Sequence, residues 1–193
     1  MHDIEPYYQW RDRYIAAEDA QTPFYGRQYS EFEYSNKVYN YFIHPQWDEF
    51  GSNTLYTKLL YTDYEEGYAI FEMIGEWNDS LYNDIMFFKR EVVDELLAAG
   101  IYHYILICEN VLNYHGDENA YYEEWYEEVS DEGGWFCFVN LHQHVEDEML
   151  DTHLHHYAHF GHRLNGVKWR PHKPAQIFEA VNALIMSGSN RLT

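Results

Sequence analysis

Seven of the twelve histidines lie between His142 and His162, interleaved with Glu146, Asp147, Glu148 and Asp151. Imidazole and carboxylate are the side chains that hold zinc and related ions, so spacing decides what they could do. His142-Gln143-His144 is an H-x-H step whose rings share a direction if a strand extends that far, and Glu109 or His115 on a neighbouring loop would complete a three-ligand site. A metal held there would support metal-assisted hydrolysis. Ordinary loop side chains produce the same short step. The second arrangement depends on a helix predicted over 145–160. Extended at both ends, it would set His144, Glu148, Asp151, His155, His159 and His162 on one stripe, at spacings of four, three, four, four and three. Val145, Met149, Leu150, Leu154, Tyr157 and Phe160 fall on the opposite side, so the stripe would face water without a dry shell. The expectation is a solvated face with a weak exposed pair, His155 and His159, no cofactor and no resident metal. His153 falls on the apolar side with Glu146, which predicts a buried, hydrogen-bonded pair. Imidazoles among carboxylates are expected to bind protons more tightly than usual. The stripe would then support the fold most below about pH 6.5, and less as pH rises.

Ligands of open α/β sheets bind beyond the carboxyl ends of the strands. In this chain that rule selects Glu76, Asn78, Glu109, Asn110, Tyr114, His115, His142 and His144 as candidate ligand-binding residues, with Trp77, Asp79, Asp117, Trp169, Arg170 and His172 beside them. Nucleophilic chemistry has little to build on. No G-x-S-x-G occurs, the glycines lack a P-loop arrangement, and Cys108 and Cys137 sit inside apolar runs, where a thiolate is disfavoured.

Charge narrows the partners. From Glu91 to His162 there are sixteen Asp/Glu and nine His but no Lys or Arg, within a chain of formal net charge −21. Such a field repels phosphate backbones and anionic lipid, so neither nucleic acid nor membrane is an expected partner. The segment from Arg163 onward reverses the balance, with five Lys/Arg against Glu179 alone. Its patch Lys168 to Lys173 either meets the acidic region, within the chain or across a homodimer, or stays solvated near the terminus. Absence of an apolar leader or membrane-length run, together with two free thiols, predicts a cytoplasmic protein.

The elements that must position these residues follow from periodicity. A short helix is predicted over Pro6 to Ala17, then irregular Tyr-rich chain, then strands at Val38 to Ile43, Thr54 to Thr62 and Tyr68 to Glu76. Leu81, Ile85, Phe88, Val92 and Leu96 mark an amphipathic helix that stops at Gly100. A strand at Tyr102 to Cys108, a helix near Glu118 to Val129, a strand at Trp135 to Leu141, the helix over 145–160, a strand near Leu164 to Trp169 and a helix from Pro174 to Met186 complete the pattern. The predicted class is α/β: a mixed sheet with an N-terminal antiparallel hairpin followed by βαβαβα crossovers. Residues 1–37 would be an extension packed on a single domain of 38–186, with 187–193 a flexible tail.

That element order, from Thr54 to Met186, resembles the STAS or anti-sigma-factor-antagonist-like fold. The resemblance implies a non-enzymatic module that binds a protein or small ligand. It also implies a regulatory serine in a short Asp-Ser-Ser-Gly motif after a strand. The corresponding stretch here, ENVLNYHGDENA over 109–120, has no Ser or Thr, so phosphorylation switching does not carry over.

Overall fold

Two strands form the centre: β4, Tyr68–Asn78, buried along nearly all of both faces, and β5, His103–His115, whose stretch 104–108 is apolar and buried throughout. The computed structural model describes residues 4–189. In it β5 lies parallel between β4 and β6, Trp135–Val139, while β3, Leu55–Asp63, pairs antiparallel with β4 through the acidic turn 63–67, giving the order β3-β4-β5-β6. Strand alternation sorts the core into two layers. Phe71, Leu106 and Phe138 pack under the helices that follow β4, β5 and β6. Ile70, Ile107 and Val139 pack on the other face, against Trp10, Trp169 and Ile177. The predicted α/β class with its mixed sheet and hairpin is the observed one.

Several boundaries differ. Pro6 to Ala17 forms turns and ends in a 3₁₀ turn, Ala16–Glu18, in place of a helix. The backbone N–H of Tyr7 is drawn to Glu72 instead of into a helical ladder. Val38 to Ile43 is a tight hairpin of β1, Lys37–Val38, and β2, Tyr41–Phe42, turning at Tyr39 with φ 52°. The helix expected from Leu81 to Leu96 is broken into α1, Asp79–Tyr82, and α2, Asp84–Phe88, by left-handed Asn83. A π turn over Lys89–Val93 then leads into α3, Asp94–Ala98. The break rotates Leu81 out of the stripe, so it stands 75% exposed while Ile85, Phe88, Val92 and Leu96 are buried. The π turn carries Lys89 inward until its side chain is fully buried.

After α4, Ala120–Asp131, and β6, the predicted long helix stops early: α5 is Gln143–Asp151, closed by left-handed His153 before a 3₁₀ turn at Leu154–His156. The strand expected near Leu164 to Trp169 is absent, because the free edge of β6 is taken by His159, which exchanges backbone hydrogen bonds with Phe136 and Phe138. The last helix, α6, runs Pro174–Ser189, so the predicted tail is helical through Ser189 and its remainder, 190–193, lies outside the described residues, as do 1–3. No helix among the described residues is long and apolar enough to cross a membrane.

Candidate functional site

β4 and β5 outrun β6. The last β5–β6 pair is Ile107 with Val139, whereas β5 stays paired to β4 as far as Asn78 with His115. Beyond residue 107 the outer edge of β5 therefore presents backbone carbonyls with no strand partner. Gly75 allows the projection: its φ of 117° suits glycine, and a Cβ there would come within 2.0 Å of the Thr54 carbonyl oxygen.

The H-x-H step caps this edge. His142 Nε2 lies 2.9 Å from the Glu109 carbonyl oxygen and His144 Nε2 lies 2.6 Å from that of Leu112. A carbonyl only accepts, so both Nε2 atoms carry the proton and donate. The rings are thus spent on the backbone, with centroids 5.8 Å apart.

Glu109 was expected on a loop, and instead lies within β5 with its carboxylate turned to the α6 face of the sheet. Its Oε1 accepts from Asn140 Nδ2 and from Trp169 Nε1, both at 2.9 Å, and its Oε2 pairs with Arg170 at 2.7 Å. Arg170 also faces Glu72, at 3.8 Å, and stacks over the Trp169 ring. The backbone N–H of Tyr7 donates to Glu72 at 2.9 Å, and the Tyr7 hydroxyl donates to the Arg170 carbonyl at 2.6 Å. Five separated parts of the chain thus converge on two carboxyls and one guanidinium. Burial pushes Glu72 up from 4.5 to about 7, against the pull of the Tyr7 N–H and Arg170. Through Arg170 the basic patch meets Glu109 of the acidic region inside the chain.

On the helical face, Asn78 caps α1 by accepting from the Leu81 N–H at 2.9 Å. Asp79 beside it accepts from Trp77 Nε1, the Ile85 N–H and the Tyr122 hydroxyl, and burial pushes it up from 3.8 to about 7. Tyr114 is buried against this group. Glu76 takes the Tyr39 hydroxyl at 2.6 Å and Asn113 Nδ2 at 3.2 Å. Asn110 is half-buried and lines a small cavity with Ile4 and Leu112, and His115 is exposed, 3.8 Å from Glu148. Around these engaged groups Tyr39, Leu81, Tyr82 and Leu112 stand exposed.

The structure separates the members of the helical stripe. His155 lies in the 3₁₀ turn and His159 on the edge of β6, so no helical face joins them. Burial lowers the pKa of His159, opposite to the direction expected from a carboxylate-lined stripe. His153 is exposed, and Glu146 instead takes the Asn165 amide. Among the described residues, the cluster with three metal-capable groups in reach of one another is Asp94, Glu124 and Glu128, and the Lys89 ammonium sits among them. Cys108 and Cys137 are free and buried, and burial pushes both thiols up.

Glu72 and Tyr122 escaped the rim rule. Glu72 carried a signal: it is the lone charge within the apolar run YAIFEMIG, in a strand buried on both faces. Tyr122 carried none beyond its helical spacing.

No protein-family model and no curated protein matches the chain. Among solved structures it is similar to the crystal structure of a Thermotoga maritima protein, TM1081, provisionally described as an anti-sigma factor antagonist. That likeness has 19% identity, covers 53% of this chain and 80% of the other, and has a TM-score of 0.39. The solution structure of TM1081 is similar at 21% identity, over 53% and 83% of the two chains, with a TM-score of 0.37.

Proposed function

We propose that this chain is a non-enzymatic binding or regulatory module that docks a protein partner across the carboxyl rim of β4 and β5. One observation carries the reading: Glu76, Asn78, Glu109, His142 and His144 of the rim are committed to one another or to the chain around them, whereas Tyr39, Leu81, Tyr82 and Leu112 face solvent. A catalytic rim needs polar groups free to meet a substrate; a docking rim needs exposed apolar anchors inside a polar border. Glu76 and Glu148 lie in that border, and the chain carries −21 overall, so the partner surface is basic around an apolar centre. The same field disfavours nucleic acid and anionic membrane.

The test is quantitative affinity capture from the cell that makes this protein, at low salt and at 0.5 M NaCl. Parent, Leu81→Asp/Leu112→Asp and the control Tyr25→Asp are compared after their urea midpoints are shown to agree. The rim variant is expected to lose a salt-sensitive partner that both others retain. Equal capture by all three refutes the docking face. Stoichiometric metal, together with a hydrolytic activity lost in His142→Ala, would establish the hydrolase reading instead.

A further inference from the structure

A second feature lies away from the rim, between the N-terminal segment and β3. A cavity of about 210 Å³ opens there, walled by Trp10, Tyr14, Tyr29 and Leu60 and bordered by Lys58 and Arg11. The tyrosine hydroxyls are engaged elsewhere: Tyr14 donates to Asp19 at 2.8 Å and Tyr29 to Asp48 at 2.6 Å. What remains toward the cavity is aromatic and aliphatic wall.

Its cations are underused. Twelve Lys and Arg face thirty-three Asp and Glu in this chain, so a cation without a carboxylate of its own is unexpected. Yet Lys58, Arg27 and Arg11 gather around the single buried carboxylate of Asp48. Lys58 Nζ lies 3.0 Å from Asp48 and Arg27 Nη1 3.3 Å from it, while Arg11 has one hydrogen bond, to Gln46 at 3.3 Å. An ammonium offers three donors and a guanidinium five. Among the described residues, Lys58 has that one hydrogen bond and otherwise stacks on the Tyr29 ring at 3.7 Å. Its side chain is 12% exposed, and burial lowers its pKa even beside Asp48. A desolvated cation with unspent donors, beside an apolar cavity, is complementary to an anion with an apolar body.

We propose that this cavity binds a small planar carboxylate with a single aromatic ring, the ring between Trp10 and Tyr14 and the carboxylate on Lys58 and Arg11. Size accommodates one ring: an apolar cavity of roughly 150 Å³ admits benzene. This site is independent of the proposed rim, so either may fail without the other.

Benzoate is the probe, titrated into the full chain with Trp fluorescence and calorimetry as readouts, against acetate and benzyl alcohol. One saturable benzoate site is expected, with both comparison compounds at least about tenfold weaker, because each lacks one half of the recognition. Arg11→Gln changes an exposed side chain and should weaken benzoate severalfold without altering the urea midpoint. Lys58→Met should abolish saturation. Benzoate binding no tighter than benzyl alcohol, or unchanged by Arg11→Gln, overturns the proposal.

Discussion

Lys89 and Asp48 are mirror images. At Lys89 one buried ammonium gathers three carboxylates, Asp94, Glu124 and Glu128, each partly exposed. At Asp48 one buried carboxylate gathers Lys58 and Arg27, with Arg11 close by. The formal charge of −21 is therefore not a uniform field, and the cation-free stretch after Arg90 is neutralised in part by Lys89 and Arg90 before it and Arg170 after it. The two centres differ in how their partners meet water. The partners of Lys89 can hydrate if it is removed, whereas Lys58 is nearly as buried as the carboxylate it serves. Asp48→Ala should consequently cost the most, about 3–5 kcal/mol, the range for stranding a buried charge. Lys89→Ala should cost nearer 3 kcal/mol, since three carboxylates regain water but the lysine stem's packing is lost. Urea unfolding ranks them. The reverse order would mean that three carboxylates converging on one cation depend on it more than their exposure allows.

The same contrast shows what the sequence can disclose. The β3–β4 hairpin, the alternation of helix and strand, and the cores of β5 and β6 were legible because a period of two or a continuous apolar run is a local property. The extension of β5 through Glu109 to His115 was not, because ENVLNYH has no apolar run and is held as strand by pairing with β4 and by the imidazole caps. α5 ends where His153 turns left-handed, without the glycine that would have announced it. The strand expected at 164–169 was lost to a competitor, His159, that reached the edge of β6 first. For the site, the rim rule found Glu109, His142, His144 and Arg170 as neighbours. Their roles were out of reach, since these depend on which acceptor or cation the fold brings to each of them.

Titration separates the two faces of β4. Glu72 and Asp79 are both pushed up to about 7 by burial, but Glu72 faces Arg170 while Asp79 faces three uncharged donors. A carboxyl whose folded pKa is raised favours the fold most below its unfolded value, and that support is lost as pH climbs to the folded one. For Glu72 the window runs from about 4.5 to 7. His103 and His159, lowered by burial, act oppositely: their support is complete above about pH 6.5 and fades as pH falls below it. Glu72→Gln should therefore lose less stability than the parent between pH 5 and pH 8, by on the order of 2 kcal/mol. His159→Gln should lose less on going from pH 7 to pH 5. An unchanged pH profile in Glu72→Gln would mean that Arg170 holds the carboxyl ionised.

The smallest expected effect sharpens the comparison most. Arg90 stands next to Lys89 and has the better geometry, gripping Glu124 with both Nη atoms and reaching Asp94 at 3.0 Å. Counted by contacts, it should matter as much as its neighbour. Its side chain is 45% exposed, however, and its partners are exposed to a similar degree, so the pair forms in high dielectric and is screened by salt. Arg90→Gln should cost about 1 kcal/mol or less at 0.05 M NaCl and almost nothing at 0.5 M, while the cost of Lys89→Ala should persist at both. Both variants also leave Glu124 with one cation fewer, so it is the response to salt, and not the size of either cost, that separates the buried cation from the exposed one. If the two costs fall together with salt, the buried ammonium is held by its field alone, and the inward turn of the π segment contributes nothing to its grip.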